Sequence, residues 1–478
     1  MSTSTHEQPC KTKIIATIGP SSSNVETLIA LMKAGATVFR LNLSHITKQK
    51  AEELVEVIRR AANQISVAAT IIADLPGPKV RISHLEENVP IAEGEEITIV
   101  RTPKNKDDIS LNYPEILDDL SIGETLFIDD GQIRLKISSR DKNFMNCTAL
   151  NSGLLKPNKG INFPLSKIQI VFPTENDIEW LSFLCKKELC DYVAVSYVRG
   201  AGDIFRIRGI LKDYQVNIGI IAKIEKHEAL KDLENIIQLS DGVMVARGDL
   251  GLEISIEDIP HIQKHIIRLC NKMGKPVITA TQMLESMIKS ATPTRAEAAD
   301  IANAILDGTD AVMLSAESAV SSNPVWVVET MRKIVSRAEK AFDKENFDSI
   351  MVHTVQNNIS DAIAFSAART AGYINASCVV CLTSSGSTAR RIAKYRPDAS
   401  IIAICDNERT QNQCGLFWRT RAYYLSLHEN VQETMKITQE FLLNHRLVNP
   451  GDKIVVTMGM PLGHKGNTNL IQVITIKE

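Results

Sequence analysis

The sequence predicts a (β/α)8 barrel that carries an inserted small β-barrel domain and is followed by an open α/β domain. Three observations point there. Short apolar runs rich in β-branched residues alternate with helical patterns eight times, as parallel strands joined by crossover helices require. The alternation breaks once, over 77–173, where short strand-like runs separated by Gly, Asp and Asn turns replace the helices. Finally, the charged and hydroxylic residues of the eight runs gather at their C-terminal ends, which is where such barrels build their sites.

The elements follow in order. A strand is expected at 14–19, closed by Gly-Pro, then a helix at 24–34 ending at Gly35. The strand at 37–43 carries Arg40 and Asn42 on one face, because strand side chains alternate, and it runs on to Ser44 and His45. A helix at 47–62 leads to a very apolar third strand at 67–75, with Asp74 at its end. The insert offers strand-like runs at 96–101, 125–128, 133–138 and 146–150. An insertion behind a strand's C-terminal end is placed to cover a site as a lid.

The rhythm returns with a helix at 177–187 and strands at 192–196, 217–224, 242–246, 276–281 and 311–315. Lys223 and Glu225 end the fifth strand, Arg247 and Asp249 follow the sixth, and Thr281 and Ser315 end the last two. Beyond 346, five strands at 377–382, 400–405, 422–427, 453–458 and 471–476 alternate with amphipathic helices, which predicts an open, doubly wound sheet. The domain bounds so read are 1–76 and 174–345 for the barrel, 77–173 for the insert and 346–478 for the C-terminal domain.

Composition excludes some classes. With 478 residues, 44% apolar, and a net charge of −2, the chain has a large core and no electrostatic case for nucleic acid or a membrane surface. No apolar run approaches the ~18 residues of a membrane span, and the N-terminus lacks the pattern of a signal peptide. Nine scattered cysteines suit a reducing compartment, hence the cytoplasm. Cys378 and Cys381 sit three apart in an apolar strand, so they should face opposite sides of the sheet rather than share a metal.

The strand-end residues suggest chemistry. Glu225 and Asp249 offer carboxylate oxygens suited to Mg²⁺ or Mn²⁺, without the Cys or His set of a zinc site. Lys223 shares a face with Glu225 and can meet developing negative charge. Arg40 offers a planar fork for phosphate. Gly248 and Asp249 open a helix whose amides could take a carboxylate, and the hydroxyls of Thr281 and Ser315 could position a substrate or pass a proton. Together they predict phosphoryl transfer to or from a small anion, without a Walker A loop or a kinase Gly-rich loop.

Arg-Leu-Asn-Leu-Ser-His at 40–45, Lys-Ile-Glu at 223–225, Met-Val-Ala-Arg-Gly-Asp-Leu-Gly at 244–251, Ala-Thr-Gln-Met-Leu-Glu-Ser at 280–286, Pro-Thr-Arg-Ala-Glu at 293–297 and Met-Leu-Ser at 313–315 resemble the pyruvate kinase family. The resemblance runs through nearly the whole chain. It implies transfer of a phosphoryl group from phosphoenolpyruvate to ADP, giving pyruvate and ATP, with Glu225 and Asp249 on Mg²⁺. It assigns Arg40 and Lys223 to the phosphoryl group. Thr281 and the Gly248 and Asp249 amides go to the substrate carboxylate, and Thr281 and Ser315 to protonation. Asn42, His45 and Arg81 fall to the nucleotide side. Asn42, Ser44 and Asp74 would line a monovalent-cation pocket.

The same resemblance implies a homotetramer and an allosteric site for a phosphorylated effector at the loop of Thr383, Ser385, Ser387 and Thr388. It makes Arg247 structural or a subunit contact. The competing classes are a metabolite-binding regulatory paralogue without turnover and a metal-dependent phosphoenolpyruvate or pyruvate lyase or mutase.

Two departures from the family pattern carry expectations. Asp-Leu-Pro-Gly-Pro-Lys at 74–79 places Lys79 where potassium-using members have Glu, so the Lys79 ammonium is expected to fill the cation pocket and K⁺ to be dispensable. Asn176 stands where a nucleotide-side Lys is common, with Lys167 as its expected substitute. Ser-Ala-Glu-Ser at 315–318 replaces the usual Ser-Gly-Glu-Thr and is expected to matter little.

Overall fold

The computed structural model describes residues 10–164, 166–426, 430–461 and 467–477. Eight parallel strands close into a barrel: Lys13–Thr17, Ala36–Asn42, Thr70–Asp74, Tyr192–Val195, Gly219–Ile224, Gly242–Ala246, Val277–Ala280 and Ala311–Leu314. Each pairs with its sequence neighbour, and the eighth closes on the first through Lys13 opposite Ala311.

Strand alternation decides which residues line the barrel. Ile15, Val38, Ile72, Ala194, Ile221 and Met313 share one buried cluster. Their neighbours Ile14, Phe39, Ile71, Val193, Ile220 and Leu314 belong to another, which the surrounding helices cover. Two residues further along each strand the first parity reaches Thr17, Arg40, Asp74, Ser196, Lys223 and Ser315, so the pleat delivers these side chains to one mouth.

The insert leaves the barrel after the third strand. Glu96–Val100, Thr125–Ile128, Ile133–Arg140, Phe144–Ala149 and Ile161–Asn162 form a five-stranded antiparallel sheet. Two short ribbons, Ile82–His84 with Ser110–Leu111 and Val89–Ile91 with Gly153–Leu155, complete it. Bridges at Arg81–Gly160 and Ile99–Ile109 draw sheet and ribbons around one core that includes Ile99, Leu126, Leu135 and Phe163.

The two legs of the insert are fastened together. Thr174 caps the helix Glu175–Lys187 and shares a capping box with Asp177, which also accepts a hydrogen bond from the Gly77 amide at 3.0 Å. Gly77 has φ +65°, and a Cβ there would lie 2.8 Å from the Ser196 Cβ. Only glycine fits that turn without displacing Ser196.

The C-terminal sheet has the order Thr420–Tyr424, Ser400–Cys405, Cys378–Thr383, Lys453–Met458, Leu470–Thr475. The first four are parallel and the last is antiparallel. Sequence periodicity is blind to that reversal; between Met458 and Leu470 there is no crossover helix among the described residues, and a parallel return needs one. The end of the strand expected at 422–427 lies outside the described residues. Cys381 packs with Ala389 and Ile392 on one face and Cys378 with Met435 and Leu442 on the other, as the alternation predicts. No described helix is long and apolar enough to cross a membrane.

The C-terminal domain docks on the barrel end opposite the mouth. Lys13 Nζ donates to the Thr420 carbonyl at 2.6 Å and Tyr192 Oη to the Gln413 carbonyl at 3.0 Å. Arg396 pairs with Asp310 at 2.9 Å. Lys13, Tyr192 and Asp310 begin or precede their strands, so these contacts leave the C-terminal mouth of the barrel free for chemistry.

Candidate active site

Lys223 is the hub of the mouth. It is 8% exposed, and its Nζ lies 2.8 Å from Glu225 Oε1, 3.1 Å from Asp74 Oδ1 and 2.7 Å from Ser196 Oγ. Burial works against its charge, but Asp74 and Glu225 outweigh it and hold the ammonium above its ordinary pKa. Burial also opposes the Asp74 carboxylate; here Lys223 and Arg40 prevail and hold it below the usual range. Arg40 is locked by Nε donating to Asp74 Oδ2 at 2.7 Å and Nη1 to Thr17 Oγ1 at 3.1 Å. Asp74 therefore fixes two cations, and Arg40 keeps one guanidinium nitrogen for another anion.

Glu225, 1% exposed, accepts the Tyr197 amide on Oε2 at 2.8 Å. Its pKa is raised, first by burial and further by the nearby Asp249 carboxylate, against the pull of Lys223. The Lys223 ammonium 2.8 Å away favours the charged carboxylate. Two carboxylates near enough to repel, both all-oxygen donors, fit a hard divalent cation. Glu225 and Asp249 are the residues that would hold it.

Asp249 also fixes the position of Lys79, and this corrects an expectation. Lys79 was expected at Asn42, Ser44 and Asp74, but its Nζ lies 3.3 Å from Asp249 Oδ1, its one ion pair among the described residues. Asp74 is already engaged by Arg40, Lys223 and Ser196, and the Asn42 side chain accepts the Ser44 amide in a local turn at 3.3 Å. Fully engaged carboxylate oxygens give a second ammonium no reason to enter.

Thr281 stands at the end of the seventh strand with φ +69°, a region a β-branched residue enters only under constraint. Its Oγ1 accepts the Gly248 amide at 2.8 Å and donates to the Ala280 carbonyl at 2.6 Å. Thr281 and Gly248 thus meet, although the amide's partner is the threonine itself. Arg247, 8% exposed, supplies the constraint: Nη2 donates to the Thr281 carbonyl at 2.6 Å and Nε to the Ala280 carbonyl at 3.2 Å, while Nη1 pairs with Asp300 at 2.6 Å. Ser315 ends the eighth strand, its amide donating to Glu317 Oε2 at 2.6 Å.

Beside this cluster a cavity of about 430 Å³ opens towards the insert, lined by Ser44, Lys79, Arg81, Asn112, Tyr113 and Trp180 among others. Asn176 and Lys48 also line it, whereas the exposed Lys167 does not; Lys48, at the start of the helix after the second strand, pairs with Glu179 at 2.8 Å. Arg81 is braced by Nη1 donating to the Asn158 carbonyl at 3.0 Å. His45 is exposed, its pKa lowered by partial burial and by Arg81, Arg40 and Lys79.

The family comparisons agree with this geometry. Residues 10–328 match the family model described as pyruvate kinase, barrel domain, and residues 361–474 the one described as pyruvate kinase, alpha/beta domain. The chain belongs to the pyruvate kinase family. It is 40% identical over 476 residues to a pyruvate kinase of Staphylococcus epidermidis, covering 97% of this chain and 80% of that one. It is 40% identical over 477 residues to that of Geobacillus stearothermophilus (98% and 81%), and 39% identical over 468 residues to one of Staphylococcus aureus (97% and 80%). It is thus an enzyme, a phosphotransferase of the pyruvate kinase family.

Sequence reasoning missed Thr17, Ser196 and Tyr197, which hold Arg40, Lys223 and Glu225. They carry no charge to draw attention, but Thr17 and Ser196 share the inward parity of Ile15 and Ala194, and that signal could have found them. In the C-terminal domain Ser385 Oγ donates to Ser387 Oγ at 3.2 Å at the start of the helix Ser387–Lys394. Thr388 and Thr383 are buried, and Thr388 Oγ1 is bonded to Thr468 Oγ1 at 2.6 Å. Of these four hydroxyls, Ser385 and Ser387 are the half-buried ones.

Proposed function

We propose that this chain transfers the phosphoryl group of phosphoenolpyruvate to ADP, yielding pyruvate and ATP. The observation that carries the reading is the Lys223 ammonium, held charged between Asp74 and Glu225 and beside the Glu225–Asp249 carboxylate pair. A cation fixed before the reaction begins stabilises charge as it develops, at no cost in reorganisation. Mg²⁺ on Glu225 and Asp249 would act as a Lewis acid towards substrate oxygens. Arg40 presents its remaining nitrogen to the phosphoryl group, and Thr281 orients the carboxylate end. After transfer the enolate takes up a proton, and we assign Thr281 and Ser315 to order the water that delivers it. The cavity walled by Arg81, Tyr113 and Trp180 suits ADP, with Arg81 and Lys79 on its phosphates.

We further propose that K⁺ is dispensable. Lys79 contributes a fixed cation from the Asp249 side, and Lys223 and Arg40 already neutralise Asp74, so no anionic site for K⁺ is left there. The test is pyruvate release from phosphoenolpyruvate, with ADP, Mg²⁺ and K⁺ omitted in turn. The proposal expects loss of activity without ADP or Mg²⁺ and retention without K⁺. Pyruvate formation without ADP would point to a lyase, and activity only with K⁺ would refute the role of Lys79.

A further inference from the structure

A second cavity, of about 420 Å³, lies between the barrel and the C-terminal domain, at the barrel end opposite the mouth. Lys275, in the turn between the helix Ile259–Met273 and the strand Val277–Ala280, forms one wall. Arg390, Arg391 and Lys394, from the helix Ser387–Lys394, form the other. Asp361 is the one carboxylate in the lining. It is already engaged, accepting from Lys394 Nζ at 3.0 Å, from Tyr395 Oη at 2.7 Å and from the Gln356 amide at 2.7 Å.

That leaves three cations facing the cavity without a carboxylate. Lys275 Nζ donates to the Ser240 carbonyl and, at 3.0 Å, to that of Gln238. Burial and the neighbouring Arg390 lower its pKa to about 8. Arg390 and Arg391 have no ion-pair partner among the described residues, and Arg391 Nη1 is shielded from solvent with no hydrogen-bond partner. Burial and Arg390 also depress the Arg391 guanidinium. A solvated basic face would leave its nitrogens in water. Here one guanidinium nitrogen is left without a hydrogen-bond partner, an arrangement that favours an incoming acceptor.

We propose that this interdomain cavity binds a phosphate monoester of a small polyol or sugar, its dianionic phosphoryl group bridging Lys275 of the barrel and Arg390 and Arg391 of the C-terminal domain. Two adjacent guanidinium groups suit the planar, multidentate capture of phosphate oxygens. The volume suits a molecule of one sugar ring. None of the lining side chains is aromatic, so a nucleobase has no ring to stack on. The Ser385–Ser387 loop does not line this cavity; Arg390 and Arg391 lie ~4.5–6 Å further along the same helix at 1.5 Å per residue. It does not depend on the catalytic reading.

The test is calorimetric titration of the full-length protein with inorganic phosphate, a hexose monophosphate and a nucleoside monophosphate. It uses the wild type, Arg391→Gln, Lys275→Gln and Ser387→Glu, with thermal unfolding monitored alongside. The expected result is saturable binding of phosphate, tighter for the hexose monophosphate than for the nucleotide. Each cavity variant should weaken it at least tenfold, Ser387→Glu should leave it in place, and a ligand-induced rise in Tm should vanish with the binding. Lys275→Gln lies on the other domain and keeps the test open if Arg391→Gln folds poorly. Binding unchanged in both cavity variants, binding lost only in Ser387→Glu, or no saturation at tens of millimolar would overturn the proposal. A preference for the nucleotide would overturn the ligand class.

Discussion

Arg247→Met should uncouple catalysis from folding in a measurable way. In the native site the guanidinium holds two carbonyls, Ala280 at 3.2 Å and Thr281 at 2.6 Å, and pairs with Asp300. Methionine fills much of the same apolar space but donates to neither carbonyl. The Ala280 carbonyl keeps the Thr281 hydroxyl, so one part-buried acceptor, the Thr281 carbonyl, is left unpaired, at about 1–3 kcal/mol less whatever water recovers. The Asp300 side chain is 37% exposed, so losing that pair adds little. A stability loss of about 1–3 kcal/mol follows.

The catalytic effect comes through Thr281. Its φ of +69° stores about 1–3 kcal/mol of backbone strain, and the Arg247 clamp is what retains it. Without the clamp the turn relaxes, and the hydroxyl leaves both the Gly248 amide and the substrate. A displacement near 1 Å at a positioning group lowers the rate by about 10²-fold. Steady-state kinetics on protein shown to be folded by urea titration separates the two effects. The expected outcome is a fall in kcat of about 10²-fold at a moderate change in the KM for phosphoenolpyruvate. A variant that loses stability but keeps kcat within a factor of about two per folded molecule would refute the positioning role.

Three further outcomes can be checked. Lys223→Met should lower kcat by roughly 10³-fold or more while Mn²⁺ binding, followed by electron paramagnetic resonance, persists on Glu225 and Asp249; near-normal turnover would remove Lys223 from the chemistry. Lys13 is buried, with its pKa lowered to about 8 from 10.5, so the folded state loses its proton before the unfolded state does. Stability attributable to Lys13 therefore rises as pH climbs from about 8 to 10.5, by ~3 kcal/mol in all; denaturant titrations of wild type and Lys13→Met should differ by that slope, and parallel curves would contradict it. In a Lys275→Gln background, where the interdomain cavity no longer contributes, Ser387→Glu should abolish binding of a phosphorylated effector at the Ser385–Ser387 loop by placing a carboxylate where the phosphate would sit, and calorimetry showing undiminished binding in that double variant would discard the assignment.

Much of the fold is written in one dimension because its signals are local. The alternation of apolar runs with helical patterns, and its single interruption after Asp74, are visible to anyone counting periods, and both follow from backbone hydrogen bonding and burial. The strand-end positions of Arg40, Lys223, Glu225 and Thr281 are equally local, because parity along a strand is a property of the chain itself. What parity also implied, and charge-seeking reading passed over, is the part played by Thr17 and Ser196.

The partners of long side chains were not local, and only packing in three dimensions decided them. Lys79 has a flexible stem, and which carboxylate it meets depended on the charges already placed by other strands; Asp74 was taken and Asp249 was not. Arg247 was readable as structural or a subunit contact, but its partners, the Ala280 and Thr281 carbonyls, came to it only with the seventh strand, across 33 and 34 residues. The unpaired cations between barrel and C-terminal domain belong to segments more than a hundred residues apart. The sequence determined the strands and what each would present. Long-range electrostatics and docking decided which charge would answer which, because those energies depend on distances that no local pattern encodes.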